Sequence, residues 1–352
     1  MANLSQLKVA MATSIFLSAF IFGLLIIGII YFVGFNLFMG LLIAITGSAL
    51  FILFQYAVGP VIVVATTRLH YLKPGENPWL EKTAKELSDK TGISMPKLAT
   101  VPSNTPNAFT FGRSTAGATL AVHEGLLKQL NEGEIRGVIA HELGHIKHKD
   151  YIVMTVLSAL PLITYYIAQV TLFAGVLSGG SRRRSNNNKD NSGAILLVIG
   201  VVSYIVYIIT FLIVMRLSRL REHYADAFAA YLTKSPRNMQ SALSKITYGL
   251  SIAPPKSPES ARAFYIEDPD MAKQSFSYIM NKKSQYDLNN DGVLDERELE
   301  LAMEKEAKNA AAHMNNLFST HPSTFKRILL LREIEQEMDT GHYSNDKMYN
   351  HI

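Results

Sequence analysis

The chemistry of this chain is concentrated in His141-Glu142-Leu143-Gly144-His145. Two imidazoles four residues apart project from one face of a helix, so both can offer a nitrogen to a single Zn²⁺, while Glu142, one step round, reaches the attacking water. The preceding residues read as a helix start: Asn131 can cap, Glu134 follows three residues on, and Ile135, Val138 and Ile139 recur at helical spacing. A catalytic zinc also needs a third protein ligand and an open position. Glu222, within Arg221-Glu222-His223-Tyr224-Ala225-Asp226, is the best candidate, because Asp226 lies four residues later on the same helical face and can accept a hydrogen bond from a ligating histidine. His223 is its rival, but it points about 100° away and lacks that partner. The chain has no cysteine, so thiolate ligands, disulfides and cysteine nucleophiles are excluded.

Something must hold these residues together across 80 positions of chain, and the hydropathy pattern says what. Of 352 residues 48% are hydrophobic and 18% charged, with a mean hydropathy of +0.13, a profile of a membrane protein with an attached polar part. Val9 through Thr67 carries no charge and breaks softly at Gly34-Phe35-Asn36, which gives two spans in a hairpin. Tyr151 to Ser181 and Ser192 to Met215 give a third and a fourth. A cleaved leader is not expected, since a second apolar run follows the first in place of a small-residue cleavage site. His145 precedes span three and Glu222 follows span four, so a helical hairpin brings both to one membrane surface.

Charge sets the orientation. Lys8, Arg68, Lys73, Lys147, Lys149, Arg216, Arg219 and Arg221 fall on one side of a four-span arrangement, which places the termini and the metal site in the cytoplasm of the cell membrane. The loop at 181–191, with Arg182, Arg183, Arg184 and Lys189, lies opposite and argues the other way; its composition reads as a polar, disordered loop. The formal charge of +5 does not point to nucleic acid, because the basic excess sits beside the apolar runs and fits anchoring at the lipid bilayer. In the first polar segment a helix is expected from Asn77 to Asp89. Short strands are expected at 96–101, 107–111 and 118–122.

A second set of oxygen ligands lies further on. Asp287 through Glu298 fits the EF-hand loop pattern at every specified place. Asp287, Asn289 and Asp291, the Val293 carbonyl, Asp295 directly or through water, and a bidentate Glu298 would bind Ca²⁺, with Gly292 making the turn. Helical sequence flanks it, Met271 to Tyr286 before and Leu299 to Asn315 after. The segment from 216 is helical to about Leu232, then Pro-rich at Pro254, Pro255 and Pro258, and the chain ends in a polar tail expected to fray.

In this combination and order the sequence resembles the HtpX family of membrane-anchored zinc metalloproteases, relatives of the CAAX prenyl proteases. The resemblance runs through the apolar hairpin, Asn107-Ala108-Phe109, the HELGH helix, two further apolar runs, Glu222 to Asp226, and Ser319-Thr320-His321-Pro322. It implies that His141, His145 and Glu222 bind zinc and that Glu142 is the general base. It also implies that Asn107-Ala108-Phe109 lies on an edge strand receiving substrate backbone, and that His321 helps hold the oxyanion.

The expected fold is α+β: a mainly helical integral membrane protein of about four spans, with a zincin-type domain carrying a small β-sheet. Its expected parts are a hairpin at 1–67, the first protease segment at 68–150, spans three and four at 151–215 and the third-ligand helix at 216–250. An insertion at 251–315 holds the loop 287–298, and the remainder of the protease domain is at 316–352. Expected partners are polypeptides, membrane proteins above all, and the bilayer. Processing of prenylated tails is a weaker alternative, because the relatives that do it enclose a chamber with more spans. A non-catalytic, calcium-responsive binding module is the alternative from another class.

Overall fold

The structure is a computed structural model describing residues 4–180, 192–252, 265–291, 294–313, 317, 319–341, 348, 349 and 352. The basic loop 181–191, the Pro-rich stretch, and Gly292 and Val293 of the acidic loop lie outside the described residues.

The chain divides into two compact units. One comprises Val9–Gly59 and Val153–Leu217 and holds the apolar helices: most of α1 (Leu4–Val33) and α2 (Leu37–Thr67), and the larger part of two helices introduced below. Among the described residues four helices are long and apolar enough to cross a membrane. Their exposed side chains include Phe16, Phe38, Leu53, Phe54 and Phe173, which is how a surface facing lipid reads.

The other unit comprises residues 1–8, 60–152 and 218–352 and contains the HExxH helix. After β1 (His70–Tyr71) comes α3 (Pro78–Thr91), capped by Asn77, whose side chain accepts from the Leu80 amide. Strands β2 (Lys97–Val101), β3 (Ala108–Phe111) and β4 (Thr119–His123) then join β1 in a sheet of order β1-β2-β4-β3, so β3 is a terminal strand. Phe109 and Phe111 turn one face of β3 into a cluster with Val63, Ala99, Val101 and Ala121. Ala108 and Thr110 take the other face, as the period of two requires.

A short α4 (Glu124–Gln129) leads to α5 (Glu132–His148), which carries the HExxH residues. Its start is the expected capping box: Asn131 accepts from the Glu134 amide, and Glu134 reaches back to the Asn131 amide. Its end is abrupt. Lys149 adopts a left-handed φ of 60°, and α6 (Asp150–Gly180) begins one residue later. The fourth apolar run and the ligand helix are one element, α7 (Ser192–Thr233), so the expected division at 215/216 falls inside a continuous helix. No Pro or Gly interrupts it there, and nothing in the sequence stops the helix where the apolar run ends.

The remaining helices are α8 (Pro236–Ile252), α9 (Pro269–Met280), α10 (Glu296–His313) and α11 (Thr324–Asp339). The helix before the acidic loop stops at Met280, short of the expected Tyr286, and a 3₁₀ turn at Lys283–Gln285 completes the approach. Ala302, Met303 and Ala307 of α10 pack with Phe325 and Ile328 of α11 and Ile279 of α9. Residues 342–347, 350 and 351 of the polar tail lie outside the described residues; within it Met348 and Tyr349 are buried, and the Tyr349 hydroxyl lies 3.0 Å from His148 Nε2. An aromatic residue in a polar tail was the available clue.

Candidate metal centre

Three elements meet at the HExxH helix. Gly144 lets α7 come close, since a Cβ there would stand 3.2 Å from the Ala225 Cα. That approach brings Glu222 to the two histidines. His141 Nε2 and His145 Nε2 are 3.1 Å apart, and Glu222 oxygens lie 3.4 Å from the first and 3.5 Å from the second. Donors around a tetrahedral zinc, with metal distances of about 2.0–2.2 Å, would be separated by about 3.3–3.6 Å, the scale on which Glu222 Oε2 faces His141 and Oε1 faces His145.

The proton inventory says the same. His141 Nδ1 is 2.9 Å from Asp226 Oδ1, and His145 Nδ1 is 2.6 Å from Asp150 Oδ2. An ionised carboxylate only accepts, so each Nδ1 carries its hydrogen and each neutral Nε2 presents a lone pair. Two lone pairs and a carboxylate therefore converge in a buried place. Glu222 Oε2 is itself buried with no hydrogen bond among the described residues. Such a set calls for a cation. The site favours positive charge: burial alone would depress the His141 imidazole, yet Asp226 and Glu222 outweigh it and raise the group to about 9, so a metal held there would take the place of the Nε2 proton.

Glu142 is buried, and burial pushes its carboxyl up against the pull of His145 and His141. The Thr110 hydroxyl, on β3, donates to it. The outer strand thus lies directly against the HExxH residues. Asn107, just before β3, is also buried; its side chain accepts from the Ile266 amide at 2.9 Å and its carbonyl from the His123 amide. His321 is brought in from the far end of the chain, with Nε2 3.7 Å from Glu222 Oε1. Burial holds it near pKa 4, so it is neutral at physiological pH. The turn bearing it is pinned by Arg219, which donates to the Ser319 carbonyl at 2.8 Å. His223, the rival ligand, is not part of the cluster formed by His141, His145 and Glu222.

Asp226 stands where the sequence put it, but its other partner was not legible there. Arg327 of α11, wholly buried, donates through Nε and Nη2 to both Asp226 oxygens at 2.7 Å and through Nη1 to the Ile266 carbonyl at 2.6 Å. Asp150 and Arg221 were missed as well: Arg221 Nε is 3.0 Å from Asp150 Oδ1. A local signal existed for this pair, a carboxylate five residues past His145 and a cation next to Glu222. Arg327 is 101 residues from Asp226 and had none. The five proposed calcium positions other than Val293 are described: Glu298 bonds the Leu288 and Asp295 amides, and Asn289 bonds Asp291.

An HExxH helix with a glutamate from a later helix, joined to apolar helices, defines a membrane zinc metallopeptidase. The chain belongs to peptidase family M48, which matches residues 74–335. A protease HtpX homolog of Aeropyrum pernix is 32% identical over 287 residues, 80% of this chain and 82% of that protein. One of Methanothermobacter thermautotrophicus is 36% identical over 257 residues, 73% and 91% of the two chains. The crystal structure of S. mikatae Ste24p matches 69% of this chain and 59% of its own at 18% identity, with a TM-score of 0.44.

Proposed function

We propose that this membrane zinc protease degrades misfolded or damaged membrane proteins at the cytoplasmic face of the cell membrane, with His141, His145 and Glu222 holding the metal. The observation that carries the ligand set is the convergence of two imidazole lone pairs and a carboxylate within 3.5 Å of one another. When bound there, zinc supplies Lewis-acid polarisation of the scissile carbonyl and an acidified water. Glu142 takes the proton of that water and returns it to the leaving amine; burial has already lifted its carboxyl toward a useful basicity. His321 gives an N–H to the developing oxyanion. Asp226 keeps the His141 tautomer. Substrate backbone adds to β3 at Ala108 and Phe109, while Asn107 fixes the start of that strand. Main-chain pairing tolerates varied side chains, which suits quality control of many proteins. The orientation rests on the positive residues flanking the spans.

Degradation of a model membrane protein in detergent tests this. Chelation should stop it and zinc should restore it, while Glu142→Gln should keep zinc and lose turnover. His321→Ala should lower turnover by roughly 10²- to 10³-fold without releasing zinc. Cleavage by Glu142→Gln at the wild-type rate would sink the reading.

We infer also that loop 287–298 takes up Ca²⁺ and orders the insertion. In support, Glu298 accepts from the Leu288 amide at 2.7 Å and the Asp295 amide at 2.9 Å, so the twelfth loop position already faces the second and ninth. Glu306, accepting from Lys282, Tyr278 and Tyr286, clamps the two flanking helices together. The order reaches the metal through α10 and α11, which bears Arg327, as well as through His321. Calcium titration of wild type against Asp287→Ala with Glu298→Gln decides it; no uptake at millimolar concentration discards the site.

A further inference from the structure

Tyr265, Ile266 and Glu267 are the residues that enter α9, and all three are buried, Glu267 to 0% exposure. Both main-chain groups of Ile266 are used at the catalytic centre. Its amide donates to Asn107 beside β3, and its carbonyl accepts from Arg327. Glu267 faces elsewhere. Its carboxylate accepts a short hydrogen bond from the Thr247 hydroxyl of α8, and that hydroxyl is 2.7 Å from the hydroxyl of Thr324.

Thr324 is the first residue of α11. Ser323, at the N-cap, makes no side-chain bond to the helix, so the usual local device for fixing a helix start is missing. The chain of contacts from Glu267 through Thr247 stands in its place. His321 lies three residues before Thr324 and Arg327 three residues after it. Whatever fixes Thr324 therefore fixes the approach of both to the metal centre. A leucine would fill the same space without the cost of burying a carboxyl, which argues for a polar task.

We propose that Glu267 is a positioning residue of the protease: through Thr247 and Thr324 it sets the start of α11, and thereby the places of His321 and Arg327. Among the described residues its carboxyl bonds the Thr247 hydroxyl and both the hydroxyl and the backbone of Thr324, not the histidines or Glu222. Burial pushes its carboxyl upward, and a glutamine there would still present an oxygen to Thr247.

The test is steady-state cleavage of a fluorogenic peptide by the zinc-loaded full chain in detergent, with zinc content measured alongside. Glu267→Ala should lower kcat about tenfold, the scale of a small misplacement of catalytic groups, with KM within about twofold and zinc retained. Glu267→Gln should stay within about twofold of wild type, and Thr247→Val should show the same kcat-only loss. Combining Glu267→Ala with Thr247→Val should cost less than the sum of the two, since both residues act on Thr324 within one shared set of contacts. If Glu267→Ala fails to fold, Thr247→Val decides the matter alone. Wild-type kcat in Thr247→Val, additive losses, or a Gln variant as impaired as Ala would each overturn the proposal. It rests on the roles read above for His321 and Arg327. Full activity in His321→Ala would remove the His321 role yet leave the Glu267 kcat result standing.

Discussion

His141 and His145 stand one turn apart on α5, and each gives its Nδ1 proton to an aspartate with an arginine behind it. The chemistry is shared; the depth is not. Asp226 and Arg327 are both wholly buried, whereas the His145 side chain keeps 12% of its surface exposed and Arg221 keeps 9%. The first support draws on α7 and α11. The second sits where α5 breaks into α6, with Arg221 supplied by α7. A pair sealed from water is geometrically exact but cannot be rehydrated when broken, while a pair near the surface can recruit water. The two proposed ligands are therefore expected to fail differently.

The largest difference should appear when the arginines are removed. Arg327→Ala strands Asp226 in a dry place with only His141 to oppose it, a change that costs about 3–5 kcal/mol in buried pairs. Arg221→Ala should cost about half of that or less, because Asp150, itself 1% exposed, lies behind an Arg221 side chain that is 9% exposed, and removing that side chain opens a path for water. Thermal melts of the two purified variants compare them directly. Equal losses would mean that depth does not separate the supports.

Next come the aspartates, read by metal affinity. Asp226→Ala and Asp150→Ala should each weaken zinc by roughly 10- to 100-fold, with Asp226→Ala toward the upper end because Arg327, 3.7 Å from Glu222 Oε2, then turns its charge on that carboxylate. Glu222→Ala should release zinc altogether, a difference in kind. Competition against a chelator of known affinity ranks all three. Wild-type affinity in Asp150→Ala would break the symmetry between the histidines, and full zinc occupancy in Glu222→Ala would return His223 to the ligand set.

The same contrast marks what could be read from residues alone. Asp226 was legible because it lies four residues from Glu222 on one helix face, a relation fixed by helical geometry. The capping box that starts α5, the three longer strands and the four apolar helices were legible on similar grounds, each a pattern within some twenty residues. Asp150 is also local, but its use depends on a left-handed Lys149, and a lysine gives no warning of that φ. Arg327, and Ile266 and Glu267 with it, reach their partners only through tertiary packing. No periodicity carries that information. The merger of the fourth apolar run with the ligand helix was missed for a different reason: hydropathy reports where polarity changes, and a helix can run through such a change unbroken.

The smallest effect concerns a third histidine on the same helix, His148, which shares their scaffold but has no metal to face. It packs edge-on against Tyr224 and Phe228, and its Nε2 is hydrogen-bonded with the Tyr349 hydroxyl at 3.0 Å. Burial lowers its pKa to about 4, against a smaller upward pull from Asp150, so the folded protein holds it neutral. A base with a depressed folded pKa contributes stability above its unfolded value of 6.5, and that stability drains away as the pH falls toward 4, because the unfolded chain takes the proton first. Tyr349→Phe removes one hydrogen bond to the neutral ring and should cost about 1 kcal/mol. Zinc content should not change. The difference between wild type and Tyr349→Phe should persist from pH 7.5 down to about 4, where the native His148 becomes charged and its pairing with the hydroxyl changes. Melts at pH 7.5 and 5.5 check this: a difference that disappears by pH 5.5 would mean that His148 is charged in the folded state, and that the end of α5 is as open to water as the His145 support beside it.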